Sequence, residues 1–288
     1  MKVAVTGGSG FVGSHLIDFL KERQYEVVNI DRVSKSIPNT VLLDIAKTDV
    51  NFLAEVLKGV DTVYHLAARA RVPASWITPQ LYVDDNVTAT LNILEASKLA
   101  GVKRFIMTGS STVYGSRQGS FKEIHTPEPI NPYAVTKLAA ENFAVLYADH
   151  FKVNIARLFN VFGSNYPITE DATSIGRFTW CNQNNHPIEL YGENKRRDFV
   201  FVQDVVRALH TITRQAETKE IYNVGSGIST PIRSVAEFFT DSITEKSERL
   251  GDADETLANI DKIKSHFGWS PTIKVTDWLK ENVIKRNH

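Results

Sequence analysis

Short apolar runs alternate with longer amphipathic stretches through the first half of the chain. The runs occupy residues 3–5, 27–30, 41–43, 62–65, 104–107 and 154–158, and their lengths and flanking turn residues predict strands. Between them, residues 11–22, 49–58, 79–99 and 133–149 carry apolar side chains at helical spacing, and Gly101 closes the third helix at a cap position. Such alternation predicts an α/β fold: a Rossmann-type doubly wound parallel sheet with helices on both faces. After about Gly163 the rhythm changes to short elements broken by Pro, Gly and Asn. The expected division is a larger domain over residues 1–163, with a returning segment near 198–225, and a smaller C-terminal α/β region from 164–197 and 226–288. No repeat or flexible linker separates the two, so they are expected to share a broad interface.

The first strand runs into Thr6-Gly7-Gly8-Ser9-Gly10-Phe11-Val12-Gly13 and then a helix. A glycine turn there lets a pyrophosphate approach the free N–H groups of the helix, where any Cβ would obstruct turn, phosphate or packing. Gly7, Gly10, Phe11, Val12 and Gly13 are therefore candidate dinucleotide contacts. Asp31 ends the next strand, where a carboxylate can accept both ribose hydroxyls and repel a 2′-phosphate. That favours NAD over NADP, while Arg32 beside it pulls the other way.

Composition narrows the picture. The 288 residues can bury a sizeable core, and 33 basic against 33 acidic residues leave no field to gather nucleic acid or a membrane surface. No apolar stretch approaches the roughly 20 residues needed to span a bilayer. Cys181 stands alone and no secretory leader precedes the first strand, so a cytoplasmic protein is expected. The eight histidines lack metal-ligand spacing, and no metal is expected.

Tyr133 and Lys137 lie four residues apart on one helix face, with Pro132 at the entrance. A neighbouring ammonium, joined by an oxidised nicotinamide, favours the phenolate; lowering a phenol from about 10 to about 7 requires roughly 4 kcal/mol. Such a phenol can take a hydroxyl proton as hydride leaves the same carbon. Tyr191 and Lys195 repeat the spacing, but Gly192 and Asn194 between them predict a turn. Gly109-Ser110-Ser111-Thr112-Val113-Tyr114-Gly115 follows the strand at 104–107, at the end of the sheet where doubly wound folds bind ligands.

These motifs together resemble the extended short-chain dehydrogenase/reductase family of NAD-dependent sugar-nucleotide epimerases and dehydratases, over nearly the whole chain. The resemblance implies cofactor contacts at Gly7, Gly10, Gly13 and Asp31, at Asp44-Ile45 beside the adenine, in the strand-end motif His65-Leu66-Ala67-Ala68, and at Asn86. It implies a catalytic triad of Ser110, Tyr133 and Lys137. On the substrate side it implies Ser111, Thr112 and Asn160, and Arg197 and Arg249 on a nucleotide diphosphate, whose oxygens suit planar guanidinium donors. The alternative for Arg197 is an ion pair with Asp198 or a neighbour, and for Arg249 a solvated charge. Phe267-Gly268-Trp269-Ser270-Pro271 resembles the family's C-terminal signature. A homodimer through the helices of Asn86 and Tyr133 is implied as well.

Within the family, dehydratases carry acid and base just after the catalytic hydroxyl, and decarboxylases use a glutamate in that loop. Here Ser111 and Thr112 follow, which resembles the 4-epimerases. The expected activity is epimerisation of a nucleoside-diphosphate sugar, at C4, through a transient 4-keto sugar. A 4-keto-sugar reductase using NAD(P)H, a dehydratase, and a non-catalytic dinucleotide-binding sensor are the alternatives. UDP-glucose 4-epimerases have a lysine where this chain has Ala70, between Arg69 and Arg71, and a tyrosine where it has Leu158, so the resemblance leaves the sugar open.

Overall fold

A seven-stranded parallel sheet organises the computed structural model, in which residues 1–33, 37–192 and 194–283 are described. Its strands are β1 (Lys2–Thr6), β2 (Glu26–Asp31), β3 (Thr40–Leu42), β4 (Thr62–His65), β5 (Arg104–Ser110), β6 (Lys152–Leu158) and β10 (Glu220–Val224). They lie in the order β10-β6-β5-β4-β1-β2-β3, so the winding reverses between β1 and β4. That reversal opens a crevice at the carboxyl ends of the strands, the place where doubly wound sheets receive ligands. The Rossmann-type expectation holds.

Period-two alternation in the strands sends residues to two cores. Val3, Val5 and Ile106 face α1 (Phe11–Glu22) and α8 (Val202–Gln215), packing on Leu16, Leu20, Val205 and Leu209. Ala4, Val63, Phe105 and Met107 face α2 (Val50–Val56), α5 (Ala89–Ala100) and α6 (Pro132–Leu146), packing on Leu53, Ile93, Leu94 and Ala140. The strand expected at 41–43 lies at Thr40–Leu42, and the helix expected to reach 149 ends in a 3-10 turn, Tyr147–Asp149.

The single helix expected over 79–99 is a real difference. It comprises α4 (Pro79–Val83), a π-helical turn at Asp84–Thr88 and then α5, with the short α3 (Val72–Ile77) ahead of it. The wider turn lets Asp85 and Asn86 reach the loop after β4, as their hydrogen bonds to Arg69 show.

The remaining chain builds two small sheets over a third core. One orders β11 (Ser229–Pro231), β9 (Arg196–Phe201) and β7 (Asn160–Phe162), and the other pairs β12 (Ile243–Lys246) with β8 (Ile188–Tyr191). Phe162, Phe178, Phe199, Phe239 and Leu279 fill that core, the last from α11 (Val275–Asn282). Among the described residues no helix is long and apolar enough to cross a membrane.

Candidate active site

The turn after β1 is built for close approach. Gly7 has φ +70°, and a Cβ there would lie 2.7 Å from the Ala67 amide nitrogen; one on Gly13 would lie 2.2 Å from the Gly7 carbonyl oxygen. The Thr6 hydroxyl accepts the backbone N–H groups of Leu66 and Ala67, which locks the β4 loop against the turn. Gly10 caps α1 with no side chain on the helix N–H groups, so those of Phe11 and Val12 remain directed toward the cavity that both residues line. Asp31 accepts the Ser9 amide at 2.9 Å and the Val33 amide at 3.1 Å, which fixes its carboxylate at the edge of the turn. These donors and this acceptor fit the pyrophosphate and ribose of a dinucleotide.

Other cofactor candidates are differently engaged. Arg32 pairs bidentately with Asp85, at 2.9 Å in both bonds, and Arg69 donates to the same carboxylate at 2.8 Å. Asn86 is 1% exposed; its Oδ1 accepts the Arg69 amide, and its Nδ2 donates to the Arg69 carbonyl and to Thr136. Both N–H donors are therefore occupied, and Asn86 shapes the loop that follows β4 instead of presenting a free amide. Asp44 accepts the amide of Ala46 at its own turn, while Ile45 is buried in the core beside α2 and α5. Ala68 lines the cavity.

That cavity, about 1070 Å³, joins the turn to both parts of the chain. Asn131 caps α6 by accepting the Ala134 amide at 2.8 Å, which sets Tyr133 and Lys137 in its first two turns. The Tyr133 ring meets the edge of Tyr82 at 6.2 Å, and the Ser110 hydroxyl hydrogen-bonds its phenol. Burial pushes that phenol up and Ser110 only partly offsets it, so the protein by itself, without the nicotinamide cation that the expectation also invokes, does not depress it. The reason is where the charge sits. Lys137 Nζ donates to the Thr108 carbonyl at 2.6 Å, and burial holds its own pKa down to about 8. Ser110 also exchanges a 2.8 Å bond with the Thr112 hydroxyl, while Ser111 is buried.

Asn160, Arg197 and Arg249 line the same cavity. Arg197 pairs with Asp252 at 2.6 Å, not with Asp198, and Arg249 lies 3.4 Å above the Tyr191 ring. Their loop is held from the other side. Asn131 Nδ2 donates to the Gly251 carbonyl at 2.9 Å, and the Trp76 indole to the Leu250 carbonyl at 3.2 Å. Sequence reading missed Asn131, Asp85 and Asp252, each of which also bonds a partner 53 or more residues away. Only the helix-capping pattern before Pro132 offered a signal, for Asn131. Tyr191 and Lys195 diverge, Lys195 pairing with Asp254 and Glu248.

The chain's similarities agree with this architecture. The pattern of the NAD dependent epimerase/dehydratase family matches residues 3–225. A UDP-glucuronate 4-epimerase of Thermodesulfobacterium geofontis is 30% identical over 307 aligned residues, covering 97% of this chain and 94% of that protein. A dTDP-D-glucose 4,6-dehydratase of Mus musculus is 32% identical, with 98% and 89% covered. Among solved structures, MoeE5 in complex with UDP-glucose and NAD matches with a TM-score of 0.90 at 32% identity, over 97% of this chain and 96% of that one.

Proposed function

The chain belongs to the NAD dependent epimerase/dehydratase family, and we propose that within it this protein epimerises a nucleoside-diphosphate sugar at C4, with Tyr133 as the base. One observation carries the choice over elimination. Four carboxylates line the described cavity, Asp171, Glu189, Glu245 and Asp252, and each is paired with an arginine: Arg71, Arg177, Arg233 and Arg197 respectively. Hydroxyls, not carboxylates, follow Ser110. Among the described residues the site therefore supports removal and return of a proton at one oxygen, and supplies no free carboxylate to strip a second carbon.

The Gly7 to Gly13 turn and Asp31 would hold NAD, which supplies a hydride acceptor and donor when bound. Its cation beside Tyr133 is also the charge that would lower the buried phenol into a working range. Tyr133 takes the proton from the C4 hydroxyl, Ser110 hydrogen-bonds the same oxygen, and Lys137 stabilises the phenolate. Arg197 and Arg249 hold the diphosphate while the sugar turns to present its other face. Asn160, Ser111 and Thr112 are the sugar contacts in this reading. The Asp85 bridge leaves Arg32 no free charge for a 2′-phosphate, which favours NAD. Leu81, Val135 and Leu146 are exposed on α4 and α6 and support homodimer pairing there. The single cysteine, Cys181, buried and free, suits the cytoplasm.

The test is incubation with UDP-, dTDP-, GDP- and CDP-hexoses, without added cofactor, followed by chromatography with mass detection. A product of unchanged mass supports the proposal. Loss of water, or turnover only with stoichiometric NAD(P)H, sinks it in favour of a dehydratase or a reductase. A second result concerns the cofactor. Asp85→Ala frees Arg32 and Arg69, and the preference for NAD over NADP, measured by fluorescence titration, is expected to fall about tenfold. An unchanged preference would remove the bridge from the specificity argument.

A further inference from the structure

A buried ion pair lies directly beneath the candidate catalytic groups, and the reaction as derived above does not use it. Tyr133, Lys137 and Glu141 fall at successive four-residue steps on α6 and share one stripe. Glu141 meets Arg157 of β6 at 2.8 and 3.0 Å, with side chains 2% and 3% exposed. Arg157 is the register partner of Gly109 on β5, the residue before Ser110. A Cβ on Gly109 would lie 2.3 Å from Glu141 Oε1 and 3.1 Å from Arg157 Cγ, so the carboxylate rests against bare backbone. Burial pushes the Glu141 carboxyl up from its ordinary value, and Arg157, Lys137 and the Ser110 backbone amide oppose that push without cancelling it. Arg157 also lies 4.8 Å over the Tyr114 ring, and its Nη1 has no partner.

Stability alone gives a poor account of this arrangement, because a buried pair is often matched or exceeded by apolar residues of similar volume. We propose that Glu141 and Arg157 are positioning residues: their pair fixes the Gly109 and Ser110 backbone against α6, and the carboxylate keeps Lys137 protonated. The inference rests on the Ser110, Tyr133 and Lys137 reading given above. The groups facing Lys137 are few. Glu141 and Tyr133 come from its own helix, and the Thr108 carbonyl from β5. His65 of β4 feels its charge but is driven by burial to about 3, so it stays neutral at working pH. Arg157 of β6 lies beyond Glu141. Glu141 is thus the anion opposing the desolvation of the Lys137 ammonium.

The sign follows. Without the carboxylate the ammonium loses its proton at lower pH, and the alkaline fall in turnover moves down with it. Glu141→Gln in the full chain is expected to lower kcat roughly tenfold at neutral pH and to shift the alkaline limb of its pH profile down by about one unit. The Lys137 resonance in ¹³C-lysine-labelled protein, assigned with Lys137→Met, is expected to titrate about one unit lower. That readout does not require turnover, so it separates this inference from the epimerase reading. If no sugar nucleotide is epimerised but the resonance shifts, the activity assignment fails and the electrostatic role stands. If the Lys137 midpoint is unmoved, or the rate falls equally at every pH, the proposed role is overturned. Should Glu141→Gln not fold, Glu141→Leu combined with Arg157→Met removes both charges, and a smaller shift in the same direction is expected, because the Glu141 anion is nearer to Lys137 on its own helix than the Arg157 cation beyond it; a wild-type midpoint in that folded variant overturns the inference equally.

Discussion

Tyr133→Phe is expected to reduce turnover by about 10³-fold, with the fold and cofactor retention intact. The substitution removes one oxygen from a ring whose packing comes from its edge contact with Tyr82, so the wall of the cavity keeps its shape. What disappears is the phenol oxygen that Ser110 helps to stabilise as an anion, on the same helix face as Lys137. Burial holds the phenol high, and Lys137 is itself poised near 8, so the pair depends on a bound cation to work near neutral pH. The measurement is kcat for the product identified in the panel above, beside the thermal midpoint with and without NAD. Wild-type turnover in this variant would place the base elsewhere.

Much of this site was legible because its motifs are local. Gly7, Gly10 and Gly13 announce a tight turn through spacing alone, and the model of a parallel sheet follows from six apolar runs and the helices between them. Tyr133 and Lys137 needed only helical periodicity. What local reading does not show is how residues engage distant partners. The sequence places Asn86 on a helix beside the cofactor, but only the π turn shows that it bonds Arg69 and Thr136. The sequence shows Arg32 as a charge that weakens the preference for NAD, and does not show that Asp85 pairs with it. Glu141 reads as an ordinary helix charge, and no local pattern reveals that Arg157 lies beneath it on the next strand. Periodicity reports faces; it does not report which faces meet.

Asp198→Ala is expected to be the most destabilising single change outside the hydrophobic cores, at about 4 kcal/mol, and to lower the thermal midpoint by roughly 10 °C. Asp198 follows Arg197 on β9, and the sequence offered it only as an ion-pair partner for that arginine. It is fully buried, and among the described residues its carboxylate bonds to Ser226, Gly227 and Ala258 and to no arginine. One carboxylate oxygen accepts the Ser226 amide at 2.6 Å and its hydroxyl at 2.7 Å; the other accepts the amides of Gly227 at 2.8 Å and Ala258 at 3.0 Å. A charged acceptor thus ties β9 to the segment after β10 and to the strand-like stretch that pairs with Phe121. Alanine would leave the N–H groups of buried Ser226 and Ala258 without partners, each costing on the order of 1–3 kcal/mol, and would free the Gly227 N–H to solvent. Asparagine is no remedy, since whichever way the amide turns, its NH₂ faces a backbone donor. The arginine just before Asp198 would lose its footing as well, because β9 carries Arg197 into the cavity. A calorimetric midpoint within a few degrees of wild type would mean that these donors find water instead. With a lowered midpoint, the substrate KM at a temperature where the variant remains folded then shows whether Arg197 still reaches its ligand.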